Sequence, residues 1–210
     1  MGRIRGRTRE QTREEALAAA SKMFAEGGFE GTSLSLIAEH AGISAAALCH
    51  HFGSKRGLYD AVTDRIYRSL SELLGAIAPE SVFEDVVSQV YGHAEAHRDE
   101  IRVLLGGIME RGGLDERMRE THMLPLTAHV AKRVAETYGS TETNARHMLI
   151  VLSHLVARFV SNDPKDNAVA LGVAGAEDAR VVILELLAAT GRHLLFPNET
   201  TNLSPVKQTL

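Results

Sequence analysis

Apolar residues recur at spacings of three and four along most of the chain, and no run alternates apolar and polar residues between turn signals. That periodicity predicts helices and no sheet. The first helix is expected from Thr12, whose hydroxyl caps it while Glu15 reaches back; Leu17, Ala20 and Phe24 share a face, and Gly27 and Gly28 end it. Thr32 and Ser33 cap a second helix that runs to about His40, Ala41 to Ile43 form a tight turn, and Ser44 caps a third helix through His51. A fourth, about 56–78, carries Leu58, Val62, Ile66, Leu70, Leu73 and Ile77 on one stripe and stops at Pro79. Five more are expected over 81–97, 99–111, 114–138, 141–161 and 176–195, with 162–175 read as a loop.

Between residues 33 and 52 the pattern acquires a shape. Ala38, Gly42 and Leu48 fall where a helix-turn-helix needs a small residue at the crossing, a left-handed turn residue and a buried anchor. Ile37, Ile43 and Leu48 then point inward, which leaves Ser44, Ala45, Ala46, Ala47 and His50 facing outward.

Charge strengthens that reading. The net charge is −4, which alone argues against nucleic acid, but residues 1–13 hold Arg3, Arg5, Arg7, Arg9 and Arg13 against Glu10 only, while residues 66–210 hold 14 Lys and Arg against 19 Asp and Glu. A basic arm on an acidic body suits a protein that meets an anion at one end. Arms of this kind enter the minor groove beside a reading helix. Composition narrows the rest: 210 residues, 44% hydrophobic, with one Cys, exclude a disulfide scaffold and a multi-thiolate zinc site. No apolar run is long enough to span a bilayer and the N-terminus lacks an apolar signal core, so a soluble cytoplasmic protein without membrane contact is expected.

Residues 12–65 resemble the TetR family of bacterial transcriptional regulators. The resemblance rests on Phe24 with Gly27, Gly28 and Phe29; Thr32 and Ser33; Ile37 through Ser44; Leu48 through Phe52; Ser54 and Lys55; and Leu58. It implies an all-α homodimer, with a three-helix helix-turn-helix DNA-binding domain over 1–55, a larger regulatory and dimerisation domain over 56–196, and a tail, 197–210, expected to be disordered. It also implies that Ser44 to Ala47 and His50 lie in the major groove, that His51 and Lys55 touch phosphate, and that Ser35 reaches backbone or a base edge. The chain departs from the family pattern at Cys49, where a phosphate-contacting tyrosine is usual, and at Ser35, where Arg or Asp is common. Alanines at 45–47 can pack on thymine methyls but cannot make bidentate base contacts.

The helices over 141–161 and 176–195 are apolar nearly all round, so each needs cover on more than one face. A second copy of the chain supplies it as a four-helix interface, which is also what the resemblance implies. The implied partners are a pseudo-palindromic double-stranded operator and a small-molecule inducer, apolar or weakly anionic, in a cavity enclosed by helices 81–161. Candidate ligand contacts are His97, Met118, His122, His154 and Arg158, which sit in register with apolar faces. His154 and Arg158 fit the dimer seam equally well.

His93 and His97 have the i, i+4 spacing of a metal pair, yet no third ligand is in register, so neither metal nor cofactor is expected. No nucleophile elbow, phosphate loop or dinucleotide fingerprint points to an enzyme. Two alternatives stay open: a dimeric interaction protein with a degenerate helix-turn-helix, and a redox-sensing regulator using Cys49. With direct readout this thin, phosphate neutralisation carries the binding. DNA affinity measured by fluorescence anisotropy is therefore expected to fall at least about a hundredfold between roughly 50 and 200 mM salt; affinity unchanged over that range would exclude an arginine-driven complex.

Overall fold

The computed structural model describes residues 8–197, and among them every regular element is helical. The arm residues Arg3, Arg5 and Arg7, and positions 198–210, lie outside the described residues. The helices, in chain order, are α1 (Arg9–Gly31), α2 (Leu34–Ala41), α3 (Ala45–Phe52), α4 (Lys55–Ala76), α5 (Phe83–Ala96) and α6 (Arg98–Arg111). There follow α7, in three contiguous parts (Glu116–Met118, a π-turn over Arg119–Met123, and Leu124–Tyr138), α8 (Glu142–Ser161), α9 (Pro164–Leu171) and α10 (Ala176–Leu195).

Helix starts follow side-chain caps. Ser33, Ser44 and Ser54 each accept from the backbone N–H three residues on, as do Thr141 and Asp115. The first helix begins a turn earlier than expected. Thr8 and Gln11 form the reciprocal capping box, and the Thr12 hydroxyl instead donates to Thr8 O. Both turns carry the same sequence signature, and the upstream one captures more helix. The break at the glycine pair is real: Gly28 has φ 69° inside α1.

Residues 162–175 are not a loop. Asp163 caps α9 by accepting from Lys165 N–H, Pro164 sits in its first turn, and Gly172 closes it in the left-handed region. Asn167 is buried there, donating to Phe159 O and accepting from Asn162, which ties α9 to the end of α8.

Two apolar clusters hold the chain together. The first joins Leu17, Phe24, Ile37, Leu48 and Leu58, each 2% exposed or less. Each such side chain stabilises the fold by about 1.5 to 3 kcal/mol. This cluster also takes Tyr59 and Val62 from α4 and Val103 from α6, so the helix-turn-helix shares its core with the body. The second cluster gathers α5, α7, α8 and α10 around Tyr91, Ala131, Met148, Ile183 and Leu187. Packing α8 against α10 covers only part of each: Ile150, Val151, Val181 and Leu186 remain exposed.

The crossing of α4 and α6 is close enough to require a glycine. Tyr59 Oη donates to Val103 O at 3.1 Å, and a Cβ on Gly107 would lie 2.1 Å from the Tyr59 hydroxyl oxygen. Gly107→Ala is expected to lose about 1 to 3 kcal/mol in denaturant melts, as overpacked sites do. An unchanged midpoint would show that the Tyr59 ring leaves its site without penalty.

Candidate nucleic-acid interface

The helix-turn-helix is built outward from its turn. Gly42 adopts φ 65° and ψ 33°, and its N–H bonds the α2 carbonyls of Ala38 and Glu39, ending α2 abruptly enough for α3 to cross it. Ile37 and Leu48 are fully buried beneath, and Ile43 is half-buried. With that face committed to the core, α3 presents Ala45, Ala46, Cys49 and His50 to solvent in two parallel i, i+4 rows. Ala47 is half-buried at their border, and Ser35 and Leu36 of α2 are exposed. Ser44 is exposed, but its hydroxyl oxygen already accepts from Ala47 N–H as the helix cap.

Cationic groups gather at the far end of α3. Arg9 is exposed, and the Arg13 guanidinium lies 5.2 Å from the centre of the Phe52 ring. His51 is half-buried between them and His50. Partial burial holds its pKa below the usual histidine value, and the charges of Arg9, His50 and Arg13 push it further the same way. Lys55 is drawn aside: its Nζ stands 4.5 Å over the Phe29 ring and 3.4 Å from Glu30 O, at the end of α1. Three residues outside the expected set belong to this surface. Arg13 repeats Arg9 one helical turn on, Cys49 repeats Ala45, and Leu36 neighbours Ser35; the i, i+4 spacing carries the signal for the first two.

The candidate ligand residues do not converge. His97 lies at the start of α6, its Nδ1 3.9 Å from Glu100 Oε1 and its ring centred 4.5 Å from that of His93 and tilted 41° to it, while His93 holds Ser69 Oγ at 3.1 Å. Met118 is 2% exposed, with its sulfur against Thr63 and Arg117, so it fills core volume. His122 pairs with Asp64 at 2.7 Å and stacks on Tyr67 at 5.2 Å. His154 and Arg158 sit on the exposed side of α8, where His154 Nδ1 bonds Ile150 O at 2.7 Å. Two concavities stand out, and neither matches the cavity expected among helices 81–161. One of about 80 Å³ lies between α1, α4 and α6, lined by Phe24, Phe29, Tyr59, Val103 and Gly107. The other, about 20 Å³, lies beside Tyr91, Asn167 and Arg180. A water takes about 30 Å³ of liquid, so the larger is a space for a few waters.

Among the described residues no group of three or more His, Cys, Asp and Glu is placed to hold a metal ion, and no helix is long and apolar enough to cross a membrane.

Comparison with known proteins locates this geometry. Residues 16–62 match the family model described as bacterial regulatory proteins, tetR family. The chain is 25% identical over 173 residues to the HTH-type transcriptional repressor AcnR of Corynebacterium diphtheriae, covering 74% of this chain and 84% of that one. It is 54% identical over 46 residues to the HTH-type transcriptional regulatory protein RaaS of Mycobacterium tuberculosis, about a fifth of either chain. The fold resembles a transcriptional regulator of Aquifex aeolicus, with a TM-score of 0.64 at 16% identity over 85% of this chain and 98% of that one. A TetR-like regulator of Rhodococcus sp. RHA1 gives 0.61 at 23% identity over 89% and 97%.

The depressed His51 pKa sets a sign for binding. Free, the imidazole sheds its proton below the ordinary histidine value; an anion brought against it reverses that preference, so binding takes up a proton. DNA affinity is therefore expected to rise as pH falls from about 7.5 towards 6, by up to about tenfold per unit for one histidine. His51→Gln should flatten that slope in a titration at constant ionic strength; an unchanged slope would remove His51 from the contact.

Proposed function

The chain belongs to the tetR family of bacterial regulatory proteins, a family of DNA-binding transcriptional regulators and not of enzymes, and from that premise we propose that it is a homodimeric cytoplasmic repressor released from a palindromic operator by a small-molecule inducer. The observation that carries the proposal is the exposed double row of α3, Ala45 with Cys49 and Ala46 with His50, flanked by Arg9, Arg13 and His51. In this reading the rows enter the major groove. The alanines meet thymine methyls, His50 and Ser35 supply polar contacts, and the cations neutralise phosphates. Lys55 reaches phosphate by leaving the Phe29 ring. Arg3, Arg5 and Arg7 extend into the minor groove.

Dimerisation uses α8 and α10. Their uncovered residues Ile150, Val151, Val181 and Leu186 are large and apolar, and a second copy is the partner that buries the same patch on both sides. His154 and Arg158 stand beside that patch and so belong to the seam in this reading. Twofold symmetry then asks for half-sites about one helical turn, roughly 34 to 36 Å, apart. The inducer is apolar or weakly anionic and binds a dimer geometry with a different head separation; its effect equals its differential affinity for the two states. Repression is supported by the relatives' descriptions, since AcnR and NicS, the latter from Pseudomonas putida, are both HTH-type transcriptional repressors.

The test is selection of genomic fragments on the purified protein, with the best site then titrated. A palindromic consensus is expected, with affinity reduced by about 10- to 100-fold in Arg9→Ala/Arg13→Ala. Val181→Asp/Ile150→Asp should sediment as a monomer and bind the site weakly. Weak, sequence-blind binding by the unsubstituted protein would favour the interaction-protein reading instead.

A further inference from the structure

A charged cluster around Arg65 fastens the reading unit to the body. Glu100, in the first turn of α6, is only 5% exposed, and the Arg65 guanidinium of α4 donates to it. The same guanidinium reaches two groups on α1: Ser21 Oγ at 3.2 Å and Glu14 Oε2 at 3.4 Å. Ser21 is itself buried, and its oxygen stands 3.2 Å from Glu100 Oε1. One side chain thus ties three helices: the long helix of the reading unit, the helix that follows α3, and the helix on which both rest.

Stability alone does not explain such a pair. Burying two charges removes their hydration, and well-packed apolar residues of similar volume often serve as well or better. What an ion pair adds is direction, because a guanidinium fork meets a carboxylate in few orientations. The apolar seam here mixes small side chains such as Ala16 and Ala20 with Phe24 and Tyr59, and such contacts fix how closely the helices approach with less directional preference than a charged pair. A protein that must offer two reading helices at a set separation needs their rotation fixed.

We propose that Arg65 and Glu100 are positioning residues that lock the tilt of α1–α3 on the body and thereby set the separation of the two α3 helices in the dimer. This rests on the dimeric DNA-binding reading above. Ser21 carries the constraint to α1.

The lone thiol of the chain provides the test. Cys49 is exposed on α3, so a nitroxide attached there reports the separation of the two heads by pulsed dipolar spectroscopy on the full-length protein, without DNA. The unsubstituted dimer is expected to give one narrow distance. Arg65→Met/Glu100→Met should remain helical and melt no lower, while its distance distribution broadens. Its unlabelled form should lose about tenfold of its preference for the consensus spacing over operators altered by one base pair, within the usual range of coupling between sites. Ser21→Ala, which keeps the ion pair, should broaden the distribution less.

A narrow, unshifted distance with unchanged spacing preference in the double variant overturns the assignment, whatever its melting temperature. Should that variant fail to fold, an unshifted, unbroadened distance in Ser21→Ala overturns it. Absence of a dipolar signal in the unsubstituted protein overturns the dimer reading and this assignment with it. A signal that the variants leave untouched overturns this assignment alone.

Discussion

The packing of α1 and α4 onto α6 is the constraint from which the rest of the architecture follows. Val103, 3% exposed, belongs to the same apolar cluster as Leu17, Phe24 and Leu58, so the core beneath the helix-turn-helix is completed by a helix of the body. Gly107 lets the Tyr59 ring lie against α6, and the Tyr59 hydroxyl donates to Val103 O of that helix. Because the reading unit has no separate core, its orientation is inherited from α6, and any strain that moves α6 is felt at α3.

Charge is distributed in accord with that mechanical plan. Cations collect where α1 and α3 meet solvent, with Arg9, Arg13 and His50 within electrostatic reach of His51. Two carboxylates on α4 find partners within the body: Asp60 pairs with Arg56 and Arg117, and Asp64 pairs with Arg117 and hydrogen-bonds His122. Burial works against the charge of Asp115, but the Met118 N–H and Arg56 outweigh it and hold the carboxyl below its ordinary range. A basic tip on a body that stays net acidic makes a polar molecule despite a net charge of only −4.

Exposed large apolar residues occur singly at Leu36, Val82, Met109, Leu124 and Val169, but four fall together on two helices. Ile150, Val151, Val181 and Leu186 lie on the two helices whose sequences are apolar nearly all round, and the monomer's own packing leaves them bare. The two concavities, by contrast, are too small for a drug-sized ligand, and the larger lies at the junction between reading unit and body. In the proposed mechanism an inducer needs a different arrangement of these helices, the same variable on which the proposed head separation depends.

Local signals in the sequence determined much of this molecule. Caps at Ser33, Ser44 and Ser54, the left-handed Gly42, and the three-four spacing of Leu17, Ala20 and Phe24 specify the helix-turn-helix because each acts within a few residues of itself. Two boundaries differ from the local pattern although their signals are present: the Thr8–Gln11 box competes with an equivalent Thr12–Glu15 pattern, and Asp163, Pro164 and Gly172 frame a helix in a stretch whose Ala and Asp content reads as loop. What only tertiary structure decided is which distant residues meet. His97, Met118, His122 and His154 share a helical register with apolar residues, yet one rests near Glu100, one is sealed in the core, one is captured by Asp64 and one faces solvent. Register says which side of its own helix a residue occupies; what stands opposite depends on how helices far apart in the chain pack, as Arg65, Ser21 and Glu100 do, and no local pattern encodes that.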